Sequence, residues 1–371
     1  MTETNDKTAS VTRRRALALG AGGAAATAFA APAVAQSGQA TIEWKMVTSW
    51  PKDLPGPGIT AQRIADNIAL MSGGRLRIRL FAAGELVPAL EVFDAVSSGT
   101  AQMGHSASFF WQGKLPAAVF FTAVPFGLLP LEHMTWIEQG GGQELWDELY
   151  APFGVNALMA GNTGVQMGGW FKNEIMSLED LKGLKIRMPG LGGEVMRRLG
   201  ATPVSLPPAE LFGALQSGLI DATEFLGPWS DTAMGFHEVA KFYYAPGFHE
   251  PNGTGEALFN SIAFQGLPDD LKAIVRDVCR AENARSLAES EWMNAGHLRV
   301  LQKKHGVEIK IFPEDVLQAL RTTSEDVTRS VAEVDEVSEK IVKSFIHGRD
   351  RLSQWSSLST RLFLDSRDRR G

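Results

Sequence analysis

The sequence predicts an α/β chain of two similar lobes around a cleft, with a long C-terminal helix. Three observations carry that expectation. From residue 41 onward, apolar runs of period two alternate with helical stripes, the pattern of a mostly parallel sheet with crossover helices. A twelve-residue unit at 91–102 recurs at 210–221, with seven positions identical or exchanging Val for Leu. Beyond Pro313-Glu314, apolar residues recur at steps of three, four or seven from Leu317 to Phe345.

Residues 1–35 read as an export signal. Arg13-Arg14-Arg15-Ala16-Leu17 carries a twin arginine, and an Ala/Gly-rich run leads to Ala33-Val34-Ala35, an A-x-A cleavage site. The run is too short for a retained anchor. The expected mature chain begins near Gln36 in a bacterial periplasm, exported folded by the Tat route. The chain has 36 basic and 42 acidic residues. Removing the four basic and two acidic residues of the signal leaves 32 and 40, a net charge of −8. That charge argues against nucleic-acid or anionic-membrane binding and gives single arginines weight as anion partners. Cys279 is the only cysteine, so no intramolecular disulfide or thiolate metal site can form. Its neighbours Ile274, Val275 and Val278 predict a buried helical thiol.

Residues 41–50 predict a strand, and the Pro/Gly-rich loop 51–58 precedes a helix with Ile59, Ile64, Ile68 and Leu70 that ends at Gly73-Gly74. Residues 75–81 alternate as a half-buried strand, and a helix over about 87–98 and a strand near 101–106 follow. The second lobe opens near Gly164. Gly183-Leu184-Lys185-Ile186-Arg187-Met188-Pro189-Gly190 predicts a strand ending at Arg187, then a helix over about 192–199 and the repeated helix, whose glycine is a C-cap in both copies. A strand at 221–225, a helix near 229–236, an aromatic strand at 242–244 and a returning strand at 257–264 come next. A helix from about 269 to 304, a strand at 307–312 and the long terminal helix complete the chain. The expected division is 36–160 for lobe I, 161–255 for lobe II, 256–313 for the return to lobe I with connecting helices, and 314–371 for the terminal helix, a candidate dimerisation element.

Enzyme motifs are missing. Gly104-His105-Ser106-Ala107-Ser108 lacks the last glycine of a nucleophile elbow, and neither His237-Glu238 nor His249-Glu250 extends to H-E-x-x-H. There is no phosphate loop. Three polar residues fall at strand ends of the second lobe instead, where open α/β sheets bind ligands. Arg187 presents a fork that matches a carboxylate. Gln166 interrupts an apolar Gly-rich run, and Glu224 ends its strand. A carboxylate facing a carboxylate ligand repels it unless a hard cation lies between, held by Glu224, the Gln166 amide and backbone carbonyls. A direct Arg187–Glu224 ion pair is the alternative. Trp50, Phe110, Trp170 and Trp229 are candidate apolar walls, with core packing the alternative for each. Glu250 either lines the cleft or sits on a turn.

The 183–190 motif, Glu224-Phe225-Leu226-Gly227-Pro228-Trp229, His237-Glu238-Val239-Ala240-Lys241 and Pro246-Gly247-Phe248-His249-Glu250-Pro251 together resemble TRAP-transporter solute-binding proteins of the DctP type. The resemblance runs from about residue 41 to past 340 and is nearest to the branch that binds 2-oxo and 2-hydroxy acids with a metal ion. It implies the two-lobed periplasmic-binding-protein fold. It implies that Arg187 pairs with the ligand carboxylate, and that Gln166, Glu224 and the Phe225 carbonyl hold a sodium or calcium ion completed by the ligand. It also implies TRAP permease subunits as partners and a homodimer exchanging C-terminal helices. Phe225 stands where the branch often has tryptophan, and Phe109-Phe110 where it often has a tyrosine, which points to a more apolar acid. The expected function is a periplasmic receptor for a small 2-oxo or 2-hydroxy carboxylate. The rival is a periplasmic metal-dependent enzyme acting on 2-oxo acids, and a third reading is a sensor subunit.

Overall fold

The computed structural model describes Thr2 and residues 41–368. The export signal expected over residues 1–35 therefore lies, Thr2 apart, outside the described residues. Eleven strands run in order: β1 (Ile42–Thr48), β2 (Leu76–Phe81), β3 (Met103–Ser106), β4 (Val155–Asn162), β5 (Gly169–Phe171), β6 (Lys185–Arg187), β7 (Thr202–Val204), β8 (Ala222–Thr223), β9 (Phe242–Ala245), β10 (Thr254–Asn260) and β11 (Glu308–Ile311). They form two sheets, ordered β2-β1-β3-β10-β4 and β11-β9-β5-β8-β6-β7. In the first, β1 is parallel to β2 and β3, while β10 runs antiparallel between β3 and β4. In the second, β6 is parallel to β7 and β8, β9 is parallel to β11, and β5 is antiparallel to β8 and β9. The strand expected at 307–312 thus extends the second sheet.

The repeated unit folds alike in both copies. The helices Val92–Ser97 and Leu211–Ser217 are each followed by a glycine of positive φ, Gly99 and Gly218. Only glycine takes that conformation without cost. The first helix is shorter than its apolar pattern predicts, because the chain before Val92 is spent in turns.

The chain passes between the sheets three times, at 163–168, at 246–253 and along the helix Asp269–His305. The first two passages are stitched side by side. Asn162 Nδ2 donates to Asn252 Oδ1 at 2.8 Å, Thr163 N to Gly253 O at 3.0 Å, and Gln166 N to Glu250 O at 3.2 Å. The helix is unbroken over 37 residues and grips the same place. Ser286 Oγ accepts from Asn162 N at 2.8 Å and Ser290 Oγ donates to Asn162 O at 3.3 Å. Cys279 is buried on this helix beside Val275 and Val278, as the sequence predicts. Among the described residues no helix is long and apolar enough to cross a membrane.

The C-terminal helical stripe is present but interrupted. Glu314–Ser330 gives way to a tight turn at Val331–Glu333, and Glu336–Ser356 starts afresh. Asp335 caps the new helix by accepting from Ser338 N at 2.7 Å, an N-cap the apolar spacing alone conceals. The break redirects the chain from one lobe to the other. Arg198 of the second lobe donates to Ser330 Oγ at 3.2 Å. Phe345 packs against Phe120 and Trp136 of the first, with ring centroids 5.1 and 5.2 Å away.

Close backbone approach at the passages generates a stability prediction. A Cβ on Gly247 would lie 2.1 Å from Gln166 O, and neither backbone has room to yield. Gly247→Ala should lower the unfolding free energy by about 1–3 kcal/mol, read from the urea midpoint. An unchanged midpoint would show that the two passages are not in rigid contact.

Candidate functional site

Met188-Pro189-Gly190 stops β6 just after Arg187, and Ile186 is buried in the sheet below. The arginine therefore leaves the strand at its carboxyl end, yet it is only 2 % exposed. Its Nη1 pairs with Glu224 Oε1 and donates to Glu224 O at 3.2 Å, while Nε donates to Leu206 O at 3.3 Å. The direct ion pair considered from the sequence is therefore present. It leaves Nη2 without a hydrogen bond to any described residue, and Arg187 lines a cavity with that edge to spare. The second Glu224 oxygen meets His249 Nε2 at 3.0 Å.

Gln166 and Glu250 face the same cavity. Gln166 Nε2 donates to Glu250 Oε2 at 2.7 Å and to Thr163 Oγ1 at 3.0 Å. Its amide oxygen, Oε1, is buried with no partner, an exposed cost for a group that ordinarily finds a donor or a cation. Burial, and after it the nearby Glu224 charge, holds the Glu250 carboxyl well above the usual carboxylate range, against the opposing pull of Arg187 and the Gln166 amide. Glu224, His249 and Glu250 each offer one ligand atom, all within 4.8 Å of one another. An orphaned amide oxygen beside two carboxyl groups is an oxygen-rich set that fits a hard cation.

The rest of the lining is largely apolar. Trp50, Phe109, Phe110, Phe225 and Leu226 line the cavity, with Phe110 6.0 Å from the Trp50 ring and 4.8 Å from that of Phe109. Trp50 is held from behind, its Nε1 donating to His105 Nδ1 at 2.9 Å while His105 Nε2 donates to Ala160 O at 2.9 Å. These two bonds assign the neutral tautomer, and burial lowers the His105 pKa to about 4. The walls enclose about 30 Å³, room for roughly two waters, so a larger guest requires the lobes to part.

Two expected walls lie elsewhere. Trp170 points into the core beneath the second sheet, stacked 4.0 Å from Tyr243 and donating to Asp231 Oδ2 at 2.9 Å. The pleat of β5 sends it there. Trp229 sits on the helix Pro228–Ala233, its backbone N–H donating to Asn294 Oδ1 at 3.0 Å, and does not line the cavity. Core packing, the alternative reading, describes Trp170, which lies in the main core cluster, whereas Trp229 is buried without belonging to that cluster. His249, Leu226, Thr163 and Asp231 were not named as site residues by sequence reasoning. His249 could have been found as a basic side chain flanking Glu250. Asp231 could not, since its partners come from three separate segments. Burial raises its carboxyl to about 7 despite hydrogen bonds from Tyr243, Trp170 and Leu226.

The model of the family described as bacterial extracellular solute-binding protein, family 7 (DctP), matches residues 48–335. A monocarboxylate 2-oxoacid-binding periplasmic protein of Nostoc sp. is 40 % identical over 324 residues, 87 % of this chain and 88 % of the relative. A TRAP periplasmic solute-binding protein of Pseudoalteromonas atlantica, solved with sodium and pyruvate, superposes with a TM-score of 0.85 at 39 % identity, covering 88 % of this chain and 99 % of that one. One from Colwellia psychrerythraea, solved with calcium and pyruvate, gives 0.85 and 39 % over 88 % and 100 % of the two chains.

The His105 tautomer generates a pH prediction. Its folded pKa lies below the ordinary 6.5, so the unfolded chain binds a proton that the folded protein refuses until about 4. This contribution is complete above pH 6.5 and is lost as pH falls toward 4, by up to about 3 kcal/mol. Thermal unfolding should therefore fall more steeply with acid in the wild type than in His105→Gln. Equal slopes would mean that His105 is not held neutral.

Proposed function

The chain belongs to the DctP family of bacterial extracellular solute-binding proteins, and from that premise we propose that it is the periplasmic receptor of a TRAP transporter. It captures a small 2-oxo or 2-hydroxy monocarboxylate together with a sodium or calcium ion. One observation carries the reading: Arg187, whose Nη2 has no hydrogen bond to a described residue, and Gln166, whose buried Oε1 has no partner, line a single largely apolar cavity. The guanidinium edge takes the ligand carboxylate as a charge-assisted pair. Arg187 is already neutralised by Glu224, so a buried ligand anion needs a further positive charge. Gln166 Oε1, the Glu224 carboxylate and the Phe225 carbonyl would hold a cation that supplies it. Glu250 lies beside them with its carboxyl pushed well above the usual range by burial, and Trp50, Phe110 and Phe225 cover the ligand's apolar part.

Two sheets joined by three passages suit closure around the ligand by hinge motion, the closed state favoured by contacts to both lobes. Release feeds TRAP-type membrane permease subunits. The twin-arginine leader assigns Tat export to the periplasm, where its relatives are named as residing. The site offers binding groups but no nucleophile paired with a base, so the reading is capture without turnover. Incubation with pyruvate should return the pyruvate unchanged, and product formation would overturn this reading in favour of a metal-dependent enzyme.

Calorimetry with pyruvate in calcium or sodium buffer tests the site. Arg187→Lys keeps the charge but loses the fork, and should weaken binding by about 2 kcal/mol or more. Glu224→Gln should retain less metal by elemental analysis. Wild-type affinity in the first variant and wild-type metal content in the second would each remove that residue from the site. The terminal helix also carries Trp355, Leu358, Leu362 and Phe363, each more than half exposed, a surface suited to a second copy of the chain. Light scattering at micromolar concentration should give a dimer mass, and a chain truncated after Gly348 a monomer mass; a full-length monomer would refute the homodimer.

A further inference from the structure

We infer that Asp231 is a positioning residue for the cation site, fixing and polarising the Phe225 carbonyl through the Leu226 peptide N–H. The inference rests on the cation reading above and adds a residue that does not itself border the cavity.

Asp231 lies in the helix Pro228–Ala233 and is 1 % exposed. Its Oδ2 accepts from Tyr243 Oη at 2.7 Å and Trp170 Nε1 at 2.9 Å. These two side chains are direct partners across β5 and β9, stacked on each other. The sheet thus holds one carboxylate oxygen, and the other, Oδ1, accepts from Leu226 N at 3.1 Å. Among the described residues no cation pairs with the group, and these three donors offset its burial.

Leu226 N–H and Phe225 C=O belong to one peptide unit, and the only cis bond among the described residues is Ala245-Pro246. In a trans peptide N–H and C=O lie in one plane and point in opposite directions. Anchoring the N–H on Asp231 therefore turns the carbonyl away from Asp231. The carbonyls of the turn divide accordingly. Glu224 O accepts from Arg187 Nη1 and Thr223 Oγ1, and Leu226 O accepts from Met167 N at 3.2 Å. Between them, Phe225 O receives no hydrogen bond from any described residue, and Phe225 borders the cavity. A carboxylate bonded to the N–H of a peptide raises the negative charge on its oxygen, because hydrogen bonds in a chain polarise one another. The single free carbonyl is thus the one that Asp231 both aims and strengthens.

The test is calcium titration by calorimetry at pH 8, with pyruvate in excess, on the full mature chain. Asp231→Asn preserves size and removes the charge, and calcium affinity should fall about 10–100-fold in a protein that circular dichroism shows folded. Trp170→Phe removes a donor to Oδ2 but keeps the Leu226 contact, and should stay within roughly threefold of wild type. Unchanged affinity in Asp231→Asn, or an equal fall in Trp170→Phe, overturns the inference. Should Asp231→Asn fail to fold, wild-type protein labelled with ¹⁵N-leucine decides. The Leu226 amide signal, assigned by its loss in Leu226→Met, should shift on adding calcium, and a signal that stays in place overturns the inference. Pyruvate binding that is equally tight in wild type without calcium or sodium would instead bring down the cation reading itself, a result separable from any effect of Asp231.

Discussion

The ion pair between Arg187 and Glu224 joins the ends of β6 and β8 and is almost wholly withdrawn from bulk solvent. Two buried charges cost several kcal/mol each in lost hydration, and their attraction offsets that only when further hydrogen bonds satisfy both groups. Here Leu206 O, the Glu224 backbone oxygen and His249 Nε2 supply these bonds to all but the Arg187 Nη2 edge. Once neutralised, the pair constrains all that surrounds it. Glu250, close by, has its carboxyl held well above the usual range by burial and by the Glu224 charge. An anionic guest brought into the same space arrives with its charge unmatched, which is why a cation accompanying the ligand is physically reasonable.

The scaffold concentrates its polar order where these groups meet. Asn162, Asn252, Ser286 and Ser290 tie the two strand passages and the long helix into one buried knot. Gln166 and Glu250 lie just beyond it, on the two passages themselves, bonded backbone to backbone as well as side chain to side chain. The C-terminal segments touch both lobes on either side of Asp335.

Much of the site was legible because its residues break local rules. Arg187 is a charge ending an apolar strand at Pro-Gly, Gln166 an amide within a glycine-rich apolar run, and Glu224 an acid after a short strand. Each is out of place for packing, and the structure brings all three together. The aromatic residues break no rule. Trp50 and Phe110 face the cavity while Trp170 and Trp229 do not, and nothing in their neighbouring residues distinguishes the pairs. The break in the terminal helix was likewise hidden, since Val331 and Val334 keep the apolar step while Asp335 supplies the cap.

By itself the sequence determined the alternation of strands and helices, the doubled helix–glycine unit and the identity of the polar residues at strand ends. These are set by periodicity, by the φ that only glycine takes freely, and by the cost of placing charge in an apolar run, all of which act within a few residues. Tertiary structure alone decided that Arg187 spends one edge on Glu224 and keeps another, that Gln166 is left with an unpaired oxygen, and that His105 and Asp231 hold a wall and a turn from behind. Those outcomes depend on groups up to 84 residues apart, such as Gln166 and Glu250. Which partner each hydrogen-bonding group finds is a competition settled only when the sheets, the passages and the long helix have packed.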